Sequence, residues 1–452
     1  MTGDFLTATE IVKGIRAGSL SPVAVVEACL ARIADTDSAL RAWVHLDSDG
    51  ALKTARALEA EARAGRFRGP LHGVPVGIKD IYHVAGMVTT AGAGAFAHER
   101  PQTDATTVAR LRAAGAVILG KTATTEFAYA DPAETRNPWN LEHTPGGSSS
   151  GSAAAVAAGM IPLALGSQTV GSVLRPAAYC GVVGLKPTHG RISTAGVIPL
   201  AWSLDHVGIF ARSVEDTALT LSVLAGHDPA DGFSAAVPTA DYLGVLARSG
   251  PPPRLGIPRR LFGDKASPET SAHLEAIAAA FAKAGASVEE VTPPPSAEAI
   301  HDAGQLVMRV EAAAYHRDRF ARHRDAYRPK IRGLLEEGLA ITGVEYVRAQ
   351  QARRRFREEM GPILERHDAL LMPVAPTPAP KGLTWTGDPG LCAPWSFSGL
   401  PAIALPSGLV QDGLPLSIQL VAGAFAEDGL LGVARWCEAA LGFTATPSLK
   451  AV

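Results

Sequence analysis

The sequence predicts an α/β protein, and three observations carry that prediction. Short apolar runs broken by glycine and proline have the texture of buried strands: GVPVGIKD at 73–80, AVILGKT at 116–122 and VGLKPTHG at 183–190. Helical runs at 104–114, 151–160 and 213–226 alternate with them, as they do where strands are linked through helices. The chain has 452 residues, 47% of them hydrophobic and 19% charged. That supplies a large core and excludes disorder, a collagen-like repeat and a disulfide mini-fold.

Taken in order, residues 7–17 and 21–35 read as helices, with Thr7 and Ser21 as N-caps and Pro22 where a first helical turn tolerates it. Val23, Val26, Leu30 and Ile33 recur at helical spacing. ALKTARALEAEARA, 51–64, reads as a third helix stopped by Gly65. Between the clusters Pro251–Pro253 and Pro293–Pro295 lie a strand at 254–258, a helix at 268–284 and a strand at 287–291. Long charged helices fill 301–366, and strand texture returns at 368–376 and 400–408. Strand patterns on both sides of the proline clusters make these loops within one domain spanning 1–452.

Composition narrows the function. Forty-two basic against 44 acidic residues give a net charge of −2, unlike a dedicated nucleic-acid binder. Four cysteines, Cys29, Cys180, Cys392 and Cys437, are too sparse for a disulfide framework and lack zinc spacing. The start, MTGDFLTATEIVKGIRAG, has no basic segment followed by an apolar run, so no signal peptide is expected and the reading is cytoplasmic. No Asp, Glu, Lys or Arg occurs in the 32 residues from His143 to Leu174. The apolar part, 153–165, is short and holds Gly159 and Pro162, so this is buried core rather than a membrane span of ~20 apolar residues. Seven basic residues between 316 and 332 read as a solvated helix face, with an electropositive rim as the functional alternative.

TPGGSSSGSAAAVAAG, 144–159, satisfies G-x-S-x-G at Gly147–Gly151, but loop residues precede it where a nucleophile elbow needs a strand. It lacks the lysine of a nucleotide-binding loop. Three segments read together say more: Gly73–Asp80 with Lys79, the Gly/Ser loop with Ser148, and Gly166-Ser167-Gln168-Thr169-Val170-Gly171-Ser172-Val173-Leu174-Arg175-Pro176-Ala177. With Thr135-Arg136-Asn137-Pro138-Trp139, Gly184-Leu185-Lys186-Pro187-Thr188 and Ser203–Gly208, this set resembles the amidase signature family over nearly the whole chain, most densely from 70 to 225.

The resemblance implies a central, twisted, mixed sheet covered by helices on both faces, with a signature core at about 65–230 and a more variable, helical substrate side at about 300–366. It implies hydrolysis of a carboxamide by a Ser172–Ser148–Lys79 triad without cofactor or metal. Lys79 takes the proton of Ser148, which follows a cis peptide bond. Ser148 takes that of Ser172, and Ser172 attacks the carbonyl. Backbone N–H groups of Thr169, Val170, Gly171 and Ser172 form the oxyanion hole, and Gly147 and Gln168 are placed on the substrate side. The chemistry is self-consistent. A serine hydroxyl is a weak nucleophile and needs a base, and lysine, with a free pKa of ~10.4, serves only if burial keeps it neutral. Asp80 would oppose this, so it is expected to face away.

Three positions depart from the family pattern. Gln168 stands for an acidic residue, Val170 for a small one, and Leu174-Arg175 for an arginine one position earlier. Val170 resists positive φ, so the loop must accept it at φ below zero or distort. The glutamine and the delayed arginine resemble the malonamidase-like branch, where that arginine holds a substrate carboxylate. A guanidinium amid Val173, Leu174, Pro176 and Ala177 needs an anion, either that carboxylate or an internal Asp or Glu. The expected substrate is therefore a small carboxylate-bearing amide. The rivals are an amidase for neutral or aryl amides, a glutaminase or amidotransferase subunit of a multi-subunit complex, and a non-catalytic scaffold. No nucleic-acid or membrane partner is expected, and a homodimer is a possibility. His189 and His206 are read as structural. Trp385, Asp388, Trp395 and Phe397 are read as pocket lining or ordinary packing.

Overall fold

A computed structural model describes residues 6–96, 100–248 and 250–449. The first helices follow their caps. In α1 (Ala8–Arg16), Thr7 and Glu10 close a reciprocal capping box. In α2 (Pro22–Leu40), Ser21 accepts from Val23 and Ala24 N–H. This helix outruns its expected end by five residues, to Arg41 in the left-handed region. Strand β1 (Trp43–Leu46) follows, then α3 (Ser48–Arg63), whose start is set by Asp47 accepting from Gly50 N–H.

The middle of the chain supplies β2 (Pro75–Lys79), α4 (Thr106–Ala113), β3 (Val117–Thr122), α5 (Ser150–Ala157), β4 (Leu163–Gln168), α6 (Leu174–Cys180), β5 (Val183–Lys186), β6 (His206–Ala211), α7 (Val214–Leu224) and α8 (Tyr242–Leu246). The remainder runs β7 (Arg254–Ile257), α9 (Pro268–Lys283), β8 (Ser287–Glu290), α10 (Ile300–His323), α11 (Pro329–Ala340), α12 (Gly343–Arg366), β9 (Ala369–Pro373), α13 (Ala393–Phe397), β10 (Ala402–Leu409), β11 (Pro415–Val421) and α14 (Glu427–Leu441).

The eleven strands form one mixed sheet in the order β1-β3-β2-β4-β6-β5-β10-β11-β9-β7-β8. Strand β2 runs parallel to both β3 and β4, and β7 runs parallel to β8 and β9; the other pairings are antiparallel. Strands β2 to β6 are buried along their whole length. Such strands are flanked by helices on both faces and show no alternation. Both α6 and α14 pack on β10 and β11.

The uncharged stretch 143–174 becomes α5, β4 and the loop entering α6, with α5 buried on every side. Gly151 lets α5 lie against backbone, since a Cβ there would come 2.2 Å from the Ala42 carbonyl oxygen. The sequence pattern did not separate β4 from its surroundings, because a strand buried on both faces carries no period of two. The helical span 301–366 resolves into α10, α11 and α12. Cys180, Cys392 and Cys437 are buried free thiols, and Cys29 is half-buried and also free. No helix among the described residues is long and apolar enough to cross a membrane.

Candidate active site

Parallel strands β2 and β4 end side by side, and ligands of open α/β sheets gather at such carboxyl ends. Lys79 is the last residue of β2 and Gln168 the last of β4. The Lys79 amine is fully buried and lies 2.7 Å from Ser148 Oγ and 2.8 Å from Ser167 Oγ. Burial pushes its pKa well down, opposed only by the field of Asp205. Asp80 turns away, as expected, and its carboxylate accepts from Lys121 at 2.7 Å and from Thr90 N–H at 3.1 Å. The two buried lysines thus differ in kind. Lys121 has a carboxylate partner, and Lys79 has only hydroxyls and the Ser167 carbonyl. A neutral amine at Lys79 can accept the Ser148 proton across the same 2.7 Å.

The peptide between Gly147 and Ser148 is cis. The neighbouring serines are committed to structure. Ser149 Oγ accepts from Ser167 N–H and donates to Ser167 C=O, Ser150 donates to Gly146 C=O, and Ser152 donates to Leu165 C=O. Ser149 is the residue a nucleophile elbow would use, so that reading falls, and of the serines at 148–152 it is Ser148 that bonds the lysine.

Ser172 lies in the loop between β4 and α6. The backbone N–H groups of Thr169, Val170, Gly171 and Ser172 donate to no described protein acceptor, whereas the next two, Val173 and Leu174, both donate to Gln168 Oε1. Ser172 is 8% exposed against 1% for Ser148, and no hydrogen bond joins the two hydroxyls. Val170 is absent from the residues with positive φ, so the loop takes the β-branched side chain at φ below zero. Gly171 cannot carry a side chain, because a Cβ there would lie 2.8 Å from Pro389 Cβ.

Gln168 has its side chain bonded within the protein. It is fully buried, its Oε1 caps the start of α6, and its Nε2 donates to Ser396 Oγ at 2.9 Å. Gly147 presents its carbonyl to Arg175 Nη2 at 2.6 Å, and a Cβ there would meet Thr386 Cγ2 at 2.8 Å. Arg175 is buried and donates to the carbonyls of Gly147 and Gly387 and to Thr386 Oγ1. Its Nε has no partner, and no carboxylate among the described residues forms an ion pair with it. Burial pulls its pKa down, opposed by the fields of Tyr179, Cys392 and Asp388, so Asp388 is a nearby internal carboxylate that makes no direct ion pair with it.

Other candidates sort by contact. His206 Nδ1 bonds Gln168 C=O at 3.1 Å and His189 Nε2 bonds Trp202 C=O at 3.1 Å, and burial pulls both pKa values down, His189 to about 4. Trp395 and Phe397 are fully buried packing, whereas Trp385 is 52% exposed. Thr386 and Gly387 close over Arg175. The basic helical span is largely tied down, with Arg324 on Glu336, Arg328 on Pro132 C=O and Lys330 on Thr384 C=O. The helical region reaches the site through the start of α11, where Glu126 accepts from Arg328 N–H and Asp131 from Ile331 N–H. Thr125, one residue before Glu126, donates its N–H to Ser148 C=O.

Sequence reasoning missed Ser167, Ser396, Asp205 and Thr386. Ser167 stands inside the signature motif, but only the pairing of β2 with β4 brings it to Lys79. Asp205 accepts from Thr169 Oγ1 and from Leu200 and Ala201 N–H, and burial raises its pKa to about 6. Its place in the segment 203–208 was the available signal. Ser396 and Thr386 lie more than 200 residues beyond the signature loop, where no local pattern marks them.

A buried, carboxylate-free lysine beside serines, facing a loop of unpaired N–H groups, is the equipment of an amide-hydrolysing enzyme. The family model described as Amidase matches residues 24–431, and the chain belongs to the amidase family. It is 41% identical over 424 residues to an amidase of Pseudomonas putida, covering 90% of each chain. It is 38% identical over 467 residues to a glutamyl-tRNA(Gln) amidotransferase subunit of Chloroflexus aggregans, covering 95% of each. Among solved structures, the peptide amidase of Stenotrophomonas maltophilia superposes with a TM-score of 0.83 at 31% identity, covering 98% of each chain. The 6-aminohexanoate cyclic dimer hydrolase superposes with a TM-score of 0.89 at 29% identity, covering 98% of this chain and 99% of that one. The protein is an amide-hydrolysing enzyme.

Proposed function

We propose that Ser172 is the nucleophile, Ser148 the relay and Lys79 the base. The N–H groups of Thr169, Val170, Gly171 and Ser172 hold the oxyanion. The observation that carries this reading is the Lys79 amine, buried without a carboxylate partner and 2.7 Å from Ser148 Oγ. Ser172 Oγ adds to the amide carbon while its proton passes through Ser148 toward Lys79. Negative charge on the carbonyl oxygen is taken up by the unpaired N–H groups. The relay returns a proton to the departing nitrogen, and water then cleaves the ester of Ser172. No hydrogen bond joins the two serine hydroxyls in the structure, and the relay runs when they come within hydrogen-bond reach.

The substrate class is a small amide bearing a carboxylate. What supports it is the Arg175 guanidinium, which is buried, bonds carbonyls, forms no direct ion pair among the described residues although Asp388 lies near enough to act on it, and leaves its Nε without a partner. Relatives named as glutamyl-tRNA(Gln) amidotransferase subunits favour a second reading, a glutaminase that works only within a multi-subunit complex.

The test is ammonia release across half-amides of dicarboxylic acids, neutral aliphatic and aryl amides, and glutamine, with Ser172→Ala as control. Release from half-amides that the control lacks is the expected result. Release only from neutral amides removes the carboxylate, and glutaminase activity that appears only with an added partner favours the second reading. Undiminished turnover by Ser172→Ala refutes the nucleophile.

A further inference from the structure

The oxyanion loop owes its aim to residues outside it. A trans peptide holds its C=O and the following N–H in opposite directions in one plane. Among the described residues only the Gly147–Ser148 peptide is cis, so the peptides of the loop are trans. Fixing the carbonyl of residue i therefore aims the N–H of residue i+1. Three carbonyls of this loop are fixed. Gln168 C=O accepts from His206 Nδ1 at 3.1 Å, which aims Thr169 N–H. Val170 C=O accepts from Ser396 Oγ at 2.6 Å, which aims Gly171 N–H. Gly171 C=O accepts from Arg175 N–H at 3.0 Å, the first turn of α6, which aims Ser172 N–H.

The bond to Val170 is the one that reaches furthest along the chain. Ser396 sits on α13, a short helix more than 220 residues along the chain from Val170. Its hydroxyl has one proton and two acceptors in range, Val170 C=O at 2.6 Å and Cys392 C=O at 3.4 Å. The shorter contact takes the proton. Gln168 Nε2 donates to the lone pairs of the same oxygen at 2.9 Å, leaving the proton for Val170. A carboxylate at 168 would do the opposite, since it has no N–H and would itself compete for the Ser396 proton. Gln168 and Ser396 are thus a matched pair, with the donor sense set by the amide.

We infer that Ser396, oriented by Gln168, is a positioning residue for hydrolysis. It holds the Val170–Gly171 peptide so that Gly171 N–H faces the developing oxyanion. The inference rests on the proposal that Ser172 is the nucleophile and this loop its hole.

Removing a whole oxyanion donor lowers kcat by about 10²–10³. Loosening one donor is expected to lower it by roughly 10- to 100-fold within that bound. The experiment measures kcat and KM for the best amide, with the affinity of a boronic acid analogue that forms a tetrahedral adduct on the nucleophile and the affinity of the product carboxylate. Ser396→Ala is expected to lower kcat with KM changed less than about threefold, to weaken the boronate by the same factor as kcat/KM, and to leave product binding unchanged. Ser396→Thr, which keeps the hydroxyl, is expected to restore most of kcat. Gln168→Glu keeps acceptors for Val173 and Leu174 but loses the N–H to Ser396, so it is expected to lower kcat in the same sense. It carries the test alone if Ser396→Ala does not fold.

An unchanged kcat in folded Ser396→Ala overturns the inference, as does equal weakening of boronate and product. Ser172→Ala separates the two readings. If it is inactive while Ser396→Ala is fully active, only the positioning role fails. If it remains active, the nucleophile reading fails with it.

Discussion

Replacing Lys79 by methionine tests the base directly, because the two side chains are of similar length and the site is fully buried. The substitution removes the only amine that bonds Ser148 among the described residues, together with bonds of 2.7 Å to Ser148 Oγ and 2.8 Å to Ser167 Oγ. General-base catalysis contributes about 10²–10⁴ in rate, so kcat should fall by roughly a thousandfold. Each hydroxyl left short of a partner costs about 1–3 kcal/mol. Against this, the variant no longer strips an ammonium of water on folding. Burial depresses the Lys79 pKa in the folded state, whereas the unfolded chain binds a proton up to about pH 10.4. Between the lowered native value and that pH the unfolded state holds the extra proton. Wild-type stability therefore rises with pH across this window and levels off above it. Lys79→Met should show a flatter profile through the same window while remaining folded. The assay pairs ammonia release with urea unfolding at several pH values between the neutral range and the free-lysine pKa of about 10.4. Activity within about tenfold of wild type would refute the base. An unchanged slope of stability with pH would refute the claim that Lys79 is held neutral.

Two further substitutions probe the surroundings. Arg175→Ala should weaken half-amides at least about tenfold more than neutral amides in kcat/KM, and equal losses would remove the carboxylate from the proposal. Lys121→Met strands the buried Asp80 carboxylate, which is bonded to it at 2.7 Å, and should destabilise the protein by about 3–5 kcal/mol in denaturant titrations. A loss below about 1 kcal/mol would show that Thr90 suffices to hold Asp80.

By itself the sequence determined the class of fold, the main helices and the family. Caps and periodicity are local, and so Thr7, Ser21 and the pattern of Val23, Val26 and Ile33 could be read without contacts. The segments holding Lys79, Ser148 and Ser172 were also legible, because Gly- and Ser-rich loops at fixed offsets are written along the chain. Tertiary structure decided which hydroxyl faces which partner. Four serines crowd positions 148–152, and only the pairing of β2 with β4 and the packing of α5 select Ser148 for Lys79 while tying Ser149, Ser150 and Ser152 to carbonyls. It also decided the surroundings of Arg175, since Gly387 and Thr386 come from more than 200 residues away. The same holds for Gln168, whose amide is matched to Ser396 on a helix that no local pattern connects to it. Backbone propensity and hydrophobic period act over a few residues, whereas satisfying a buried polar group depends on whatever the fold brings within about 3 Å of it.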